Sequence, residues 1–157
     1  MKNIPDNCSF GGSGIDEEVY SWIVENLPSG KTILEIGAGN VSTRYLASKY
    51  IVYSVEHLAK FCGKWHNRYI HAKLVDGWYD VEYLKASLPK SYNLILVDGP
   101  IGSESRMGFF HNRSLFDLTA TIVVHDTNRC AEKNLIDLLE KETNKKKIMF
   151  ETFGVLK

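Results

Sequence analysis

The chain has 157 residues, 44% of them hydrophobic and 24% charged, a balance that suits one globular domain around one core. Its 19 basic and 19 acidic residues cancel, so charge gives no general attraction to DNA, RNA or anionic membranes, and no apolar run approaches the ~20 residues needed to cross a bilayer. Three cysteines, Cys8, Cys62 and Cys130, form no C-x-x-C pair, which argues against a disulfide framework or a zinc knuckle.

Residues 1–15 read as an N-terminal extension of a single domain spanning 1–157. Met1–Asp6 lacks the apolar segment of a signal peptide, and the chain reads as cytoplasmic. Asp16–Leu27 carries Val19, Trp22, Ile23 and Leu27 at helical spacing behind an N-cap candidate, Asp16. After the breaker Pro28-Ser29-Gly30, Thr32–Ile36 is a short buried strand, Ser42–Lys49 a helix and Ile51–Glu56 a second strand. Leu58–His66 is read as a helix, Tyr69–Val75 as a third strand and Val81–Leu88 as a helix ended by Pro89. Asn93–Val97 and Thr121–His125 are strands, Arg129–Thr143 a long helix and Ile148–Phe153 a single last strand. The run Lys145-Lys146-Lys147 reads as a solvated turn before it. This alternation predicts an α/β three-layer sandwich with a mostly parallel, doubly wound Rossmann-like sheet of six to seven strands. Right-handed crossovers bring every parallel strand's C-terminal end to one edge, where ligands bind.

Polar clusters follow those strand ends. In Glu35-Ile36-Gly37-Ala38-Gly39-Asn40-Val41-Ser42-Thr43 the glycines permit a sharp turn and close backbone approach, and the helix opened by Ser42 and Thr43 points free N–H groups at the same space. A dinucleotide loop would place a third glycine where Ser42 stands. Glu35 suits a cation, such as the amino group of a methionine moiety, better than a phosphate. Glu56, 21 residues later, can accept hydrogen bonds from both hydroxyls of a ribose.

A second constellation comprises Asp98 after the fourth strand, the glycine-bearing loop Ile101–Phe110 with Arg106, and His125-Asp126-Thr127-Asn128-Arg129 after the fifth. Asp98 or His125 can act as a general base. Asp98 and Asp126, with Asn128 as a third oxygen donor, can instead hold a Mg²⁺-like ion. The plainer reading has Asp126 capping the following helix or pairing with Arg129 or Arg106, and His125 as a satisfied strand-end residue.

The E-x-G-x-G loop with Glu56 resembles the Rossmann-like S-adenosylmethionine (SAM) methyltransferase superfamily. That resemblance implies SAM as cofactor, with Glu35, Gly37 and Gly39 lining its methionine end, Glu56 at the ribose, and Ala38, Asn40, Ser42, Thr43 and Asp98 among the cofactor-binding residues. It places His57 beside the adenosine, and Asp76, Gly77 and Trp78 at the adenine. Val97-Asp98-Gly99-Pro100, Arg106-Met107, Val124–Arg129 and Glu132 look like the polysaccharide-biosynthesis family that includes glucuronoxylan 4-O-methyltransferases. This implies O-methylation of a sugar or uronic acid, with Arg106 reading a substrate carboxylate and Asn128 a further substrate contact. The expected partner is a small molecule, with no nucleic acid and no membrane; a homodimer is compatible with the sequence. The family's closing β-hairpin is expected to be cut to one strand. Two rivals share parts of the pattern: an NAD(P)-dependent oxidoreductase, opposed by the missing third glycine, and a non-catalytic adenosyl-binding module, opposed by the acids and His125 at the reacting edge. A nucleic-acid methyltransferase would carry an N/D-P-P-Y/F-type loop where Asp98-Gly99-Pro100-Ile101 stands.

Overall fold

The computed structural model describes residues 10, 14–102 and 104–157, with nothing said of the Glu104 side chain. Residues 1–9, which include Cys8, residues 11–13 and Ser103 lie outside the described residues; Cys62 and Cys130 are unpaired. Helix α1 (Glu17–Asn26) is capped by Asp16, whose Oδ1 accepts the Val19 N–H at 3.1 Å. Strand β1 (Thr32–Ile36), helix α2 (Ser42–Lys49) and strand β2 (Ile51–Glu56) follow at the predicted bounds. Then come β3 (Tyr69–His71), a hairpin of β4 (Leu74–Val75) and β5 (Trp78–Tyr79), α3 (Val81–Ser87), β6 (Leu94–Val97), α4 (Met107–His111), β7 (Thr121–His125), α5 (Cys130–Thr143), β8 (Lys147–Met149) and β9 (Phe153–Leu156).

Seven strands form one sheet in the order β3-β2-β1-β6-β7-β9-β8, parallel except for β9, which runs against both β7 and β8. Period-2 alternation sorts the side chains into two cores. Leu34, Ile36, Ile95, Val97, Ile122 and Val124 pack with Leu84, Phe109 and Leu135 from α3, α4 and α5. Ile33, Val52, Leu94, Leu96 and Val123 pack with Val19, Ile23 and Leu46 from α1 and α2. The expected three layers are therefore present. No helix among the described residues is long and apolar enough to cross a membrane.

Four segments depart from expectation. Leu58–His66 forms only a 3₁₀ turn, Ala59–Phe61, because Gly63 turns left-handed (φ +74°) and His66 is drawn inward. Tyr69–Val75 breaks in two at Ala72. Asp76 and Gly77, both at positive φ (+51° and +81°), then make a two-residue hairpin turn that pairs Val75 with Trp78. The loop Ile101–Phe110 contains a 3₁₀ turn, Glu104–Arg106, that runs into α4. Lys147–Leu156 holds a full hairpin, so the closing pair is complete; Lys147 opens it, paired with Asp137 at 2.6 Å and Glu140 at 2.7 Å.

The same alternation that buries Ile33 carries Glu35 under α2. Its carboxyl receives the Thr43 hydroxyl at 2.9 and 3.0 Å and the Ser54 hydroxyl at 2.6 Å, while Thr43 Oγ1 accepts the Gly39 N–H at 2.9 Å. His66 Nδ1 accepts the Arg68 N–H, so Nε2 carries the proton and donates to Ser54 Oγ at 3.0 Å. Burial pushes the Glu35 carboxyl up to about 8, against the two hydroxyls, and drives His66 down to about 4. The folded chain thus holds a Glu35 proton that the unfolded chain releases near pH 4.5. The resulting stabilisation is complete below that pH and is lost as pH rises through about 8. Glu35→Gln should therefore remove this contribution, a change relative to wild type of about 4 kcal/mol between pH 5 and 9 in urea unfolding, and leave the opposite rise up to about pH 6.5 that the depressed His66 contributes. Parallel pH profiles for the two proteins would contradict this assignment.

Candidate active site

Register aligns the site. Ile36 lies beside Val55 and Val97, and Val97 beside Val124, so the next residues, Glu56, Gly37, Asp98 and His125, form one row across the sheet's C-terminal edge. Strand order reverses between β1 and β6, so the crevice opens at Gly37 and Asp98. There the two chain turns touch. A Cβ on Gly37 (φ +94°) would lie 2.7 Å from the Gly99 Cα, and one on Gly99 would lie 2.6 Å from the Gly37 Cα and 2.7 Å from the buried Tyr79 hydroxyl. The Gly99–Pro100 peptide is cis.

Two cavities share this edge. One of about 20 Å³ is lined by Gly37, Ala38, Glu56, His57, Leu58, Phe61, Asp98, Gly99, Pro100 and Ile101. It has room for about one water molecule, and Leu58, Phe61 and the exposed Ile101 stand at its rim. Glu56 Oε2 accepts the Ala38 N–H at 3.0 Å, and Oε1 accepts those of His57 and Leu58 at 2.8 and 2.7 Å. The carboxylate therefore already ties the glycine loop to β2. The second cavity, about 180 Å³, is lined by Gly14, Asp98, Ile101, Gly102, Arg106, Asp126 and Arg129. Asp98 belongs to both.

Behind Asp98 sits His125. Its Nδ1 contacts Asp98 Oδ1 at 2.7 Å and its Nε2 faces Asp16 Oδ2 at 3.3 Å; Asp16 Oδ2 also accepts the Thr152 hydroxyl at 2.6 Å. Burial opposes the imidazolium, but the hydrogen bond and charge of Asp98, then Asp126 and Asp16, more than offset it and raise the His125 pKa. Both ring nitrogens are engaged, so Asp98, and not His125, confronts the cavity. Asp16→Asn tests this arrangement, since Asn caps a helix as well as Asp. His125 should then titrate at lower pH in an NMR titration of its ring protons. The stability it contributes, full below its ordinary pKa of 6.5 and lost as pH rises through the folded value, should disappear at lower pH than in wild type. An unchanged titration would break the Asp16 link.

Arg106, which lines the second cavity, is held by carboxylates of this chain. It is 5% exposed, with Nη1 donating to Asp126 Oδ2 at 2.8 Å and to the His125 carbonyl at 3.3 Å, Nη2 at 3.6 Å from Asp98 Oδ1, and Nε at 3.6 Å from Glu132 Oε1. The cation facing the cavity with spare donors is Arg129, half-exposed and 3.2 Å from Asp126. Asp98, His125 and Asp126 each bring a potential ligand atom within 4.8 Å of the others. A divalent ion does not fit this set as it stands, because the buried Arg106 guanidinium already bridges the two acids and His125 Nδ1 is committed to Asp98. Asn128 is exposed and lines neither cavity.

Of the cofactor-binding residues expected from sequence, Gly37, Ala38, Glu56, His57 and Asp98 meet in the small cavity. Glu35, Gly39, Ser42 and Thr43 lie outside its lining; Glu35 and Thr43 brace the loop from beneath, and Ser42 Oγ fills the space left by the missing side chains of Gly39 and Gly14. Asn40 is exposed and accepts a bond from Lys64. Asp76, Gly77 and Trp78 stand apart: the first two form the exposed hairpin tip, and Trp78 packs its ring under Gly108 beside a separate cavity of about 410 Å³. Asp16 and Tyr79 belong to the site and were not expected there, while Arg129, expected as a partner of Asp126, also lines the second cavity. Asp16 carried a visible signal only as a helix cap.

Comparison with family models and with curated proteins finds no match. Solved structures do match, through the fold. The MycE methyltransferase of the mycinamycin biosynthetic pathway, solved with Mg and S-adenosylhomocysteine (SAH), superposes with a TM-score of 0.60 at 11% identity over 94% of this chain and 50% of its own. This chain thus spans half the length of MycE. Magnesium protoporphyrin IX methyltransferase (ChlM) from Synechocystis PCC 6803, with bound SAM, gives 0.53 at 16% identity over 89% and 75%. An rRNA methylase from Streptococcus thermophilus gives 0.54 at 14% identity over 90% and 94%. The chain has the Rossmann-like α/β methyltransferase fold.

Proposed function

We propose that this chain is a SAM-dependent methyltransferase acting on a hydroxyl of a small acceptor, a sugar or a related compound. The observation that carries the reading is the row Glu56–Gly37–Asp98, which sets two carboxylates on either side of a side-chain-free switch point and gives Asp98 a face on a second, acceptor-sized cavity. The fold shared with methyltransferases solved with SAM or SAH supports it. Glu56 would hold the ribose, and Gly37 and Gly99, whose missing side chains let the two strand-end turns touch, keep the switch point free of side chains. When bound, SAM supplies a methyl group on an already activated sulfonium.

The protein's task is then to align the acceptor oxygen and take its proton. Asp98 is placed for that. Its contacts with His125 and Arg106 both fall on Oδ1, and Oδ2 can receive the hydroxyl proton as the oxygen–carbon bond forms. His125, protonated between Asp98 and Asp16, compensates the buried negative charge and positions the carboxylate. Arg129 and Asp126 orient polar groups of the acceptor at the cavity wall.

Isothermal titration with SAH and with NAD tests the cofactor. Saturable SAH binding without NAD binding is expected, and the reverse would replace the methyltransferase with an oxidoreductase. Tritiated methyl transfer from SAM to a panel of sugars and uronates tests the acceptor class; label confined to non-hydroxyl acceptors would overturn the O-methyl reading.

A further inference from the structure

The chain's neutral total conceals a segregated charge. From His57 to Val75 there is no acidic residue, while Lys60, Lys64, Arg68 and Lys73 fall in that stretch. This segment runs from the rim of the small cavity to β3, the edge strand of the sheet. Its cations are interleaved with aromatic rings. Lys60 and Lys64 lie 5.0 and 5.5 Å from the Phe61 ring centre, and Arg44, reaching across from α2, lies 5.3 Å from that of Trp65. Trp65 is 39% exposed and Arg44, Lys60 and Lys64 are exposed. None of these three cations forms an ion pair among the described residues; Lys64 donates to the Asn40 side chain of the glycine loop at 3.2 Å.

Unpaired cations spaced by accessible rings match a ligand that presents phosphates and flat bases in turn. The cations neutralise backbone charge, and a ring face or a guanidinium stacked on it receives a base. We infer that the surface formed by Arg44, Lys60, Phe61, Lys64 and Trp65 is a docking site for a single-stranded nucleic acid, passing along the edge of the sheet beside the small cavity. A small acidic metabolite would use the charges and leave Trp65 without a task. The surface shares no residue with the acceptor cavity and meets the small cavity only at Phe61, which the variants below leave in place, and its test does not require methyl transfer.

The probe is a fluorescein-labelled 12-nucleotide single strand, as RNA and as DNA, followed by anisotropy at low salt. Saturable binding is expected, with log affinity falling against log salt at about −0.7 per phosphate contacted. Arg44→Glu/Lys60→Glu should weaken binding about tenfold or more, and Trp65→Ala about fivefold or more with loss of the tryptophan quenching that base stacking produces. SAH titration of the same variants should be unchanged. That control separates failure of this surface from failure of the cofactor reading. The RNA and DNA arms show whether a 2′-hydroxyl is recognised. No saturable binding by wild type, equal binding by the charge-reversed protein, or binding indifferent to Trp65→Ala and competed fully by heparin would each overturn the assignment.

Discussion

Asp98→Asn is expected to lower turnover about a thousandfold, within the range that general-base removal costs, while SAH affinity stays within a few-fold of wild type. Asparagine keeps the shape and an oxygen for the His125 Nδ1–H, so the 2.7 Å contact survives, but it cannot accept the acceptor's proton. It also removes the largest source of the raised His125 pKa, the Asp98 hydrogen bond and charge. NMR should therefore show His125 titrating at lower pH, an effect that loss of substrate alignment alone would not produce. Single-turnover kinetics and SAH calorimetry on the same protein complete the test. Turnover within tenfold of wild type would remove Asp98 from the chemistry. A fall in turnover accompanied by loss of SAH binding would make it a cofactor contact instead.

Much of this site was legible in the order of residues because strand period and strand ends are local properties. The apolar runs ending in Glu56, Asp98 and His125 predicted which residues would share an edge, and parallel register did align them. The surroundings of two expected site residues were harder to see. Glu35 was read as facing the ligand, yet one-residue alternation along β1 turns it under α2, where Thr43 and Ser54 satisfy it. Arg106 was read as a substrate contact and does line the acceptor cavity, but its burial among three carboxylates depends on tertiary contacts that strand period does not encode. Local signals were also misassigned. The hairpin turn that Asp76-Gly77 signals by composition was passed over, and the short hairpin of β8 and β9 was compressed into one strand.

Arg106→Met should destabilise the protein by about 3–5 kcal/mol near pH 8, the cost of leaving buried charges unpaired, or roughly 10 °C in Tm for a chain of this size. Methionine matches the aliphatic stem, so packing is largely kept and the lost term is the guanidinium among Asp98, Asp126 and Glu132. Burial already pushes the Asp98 and Glu132 carboxyls up and Arg106 opposes it, so without the guanidinium these two hold their protons to still higher pH in the folded state. The variant should therefore regain stability toward pH 5 and lose it as pH rises, more steeply than wild type. The same substitution clears the space between Asp98 and Asp126. Millimolar Mg²⁺ or Mn²⁺ should then raise the Tm of the variant by several degrees and leave wild type unmoved, and EDTA should not alter wild-type turnover. This separates two designs that use the same acids: one in which a fixed guanidinium balances them, and one in which a metal does. Metal-dependent stabilisation of wild type, or EDTA-sensitive turnover, would show that Arg106 yields its place to an ion.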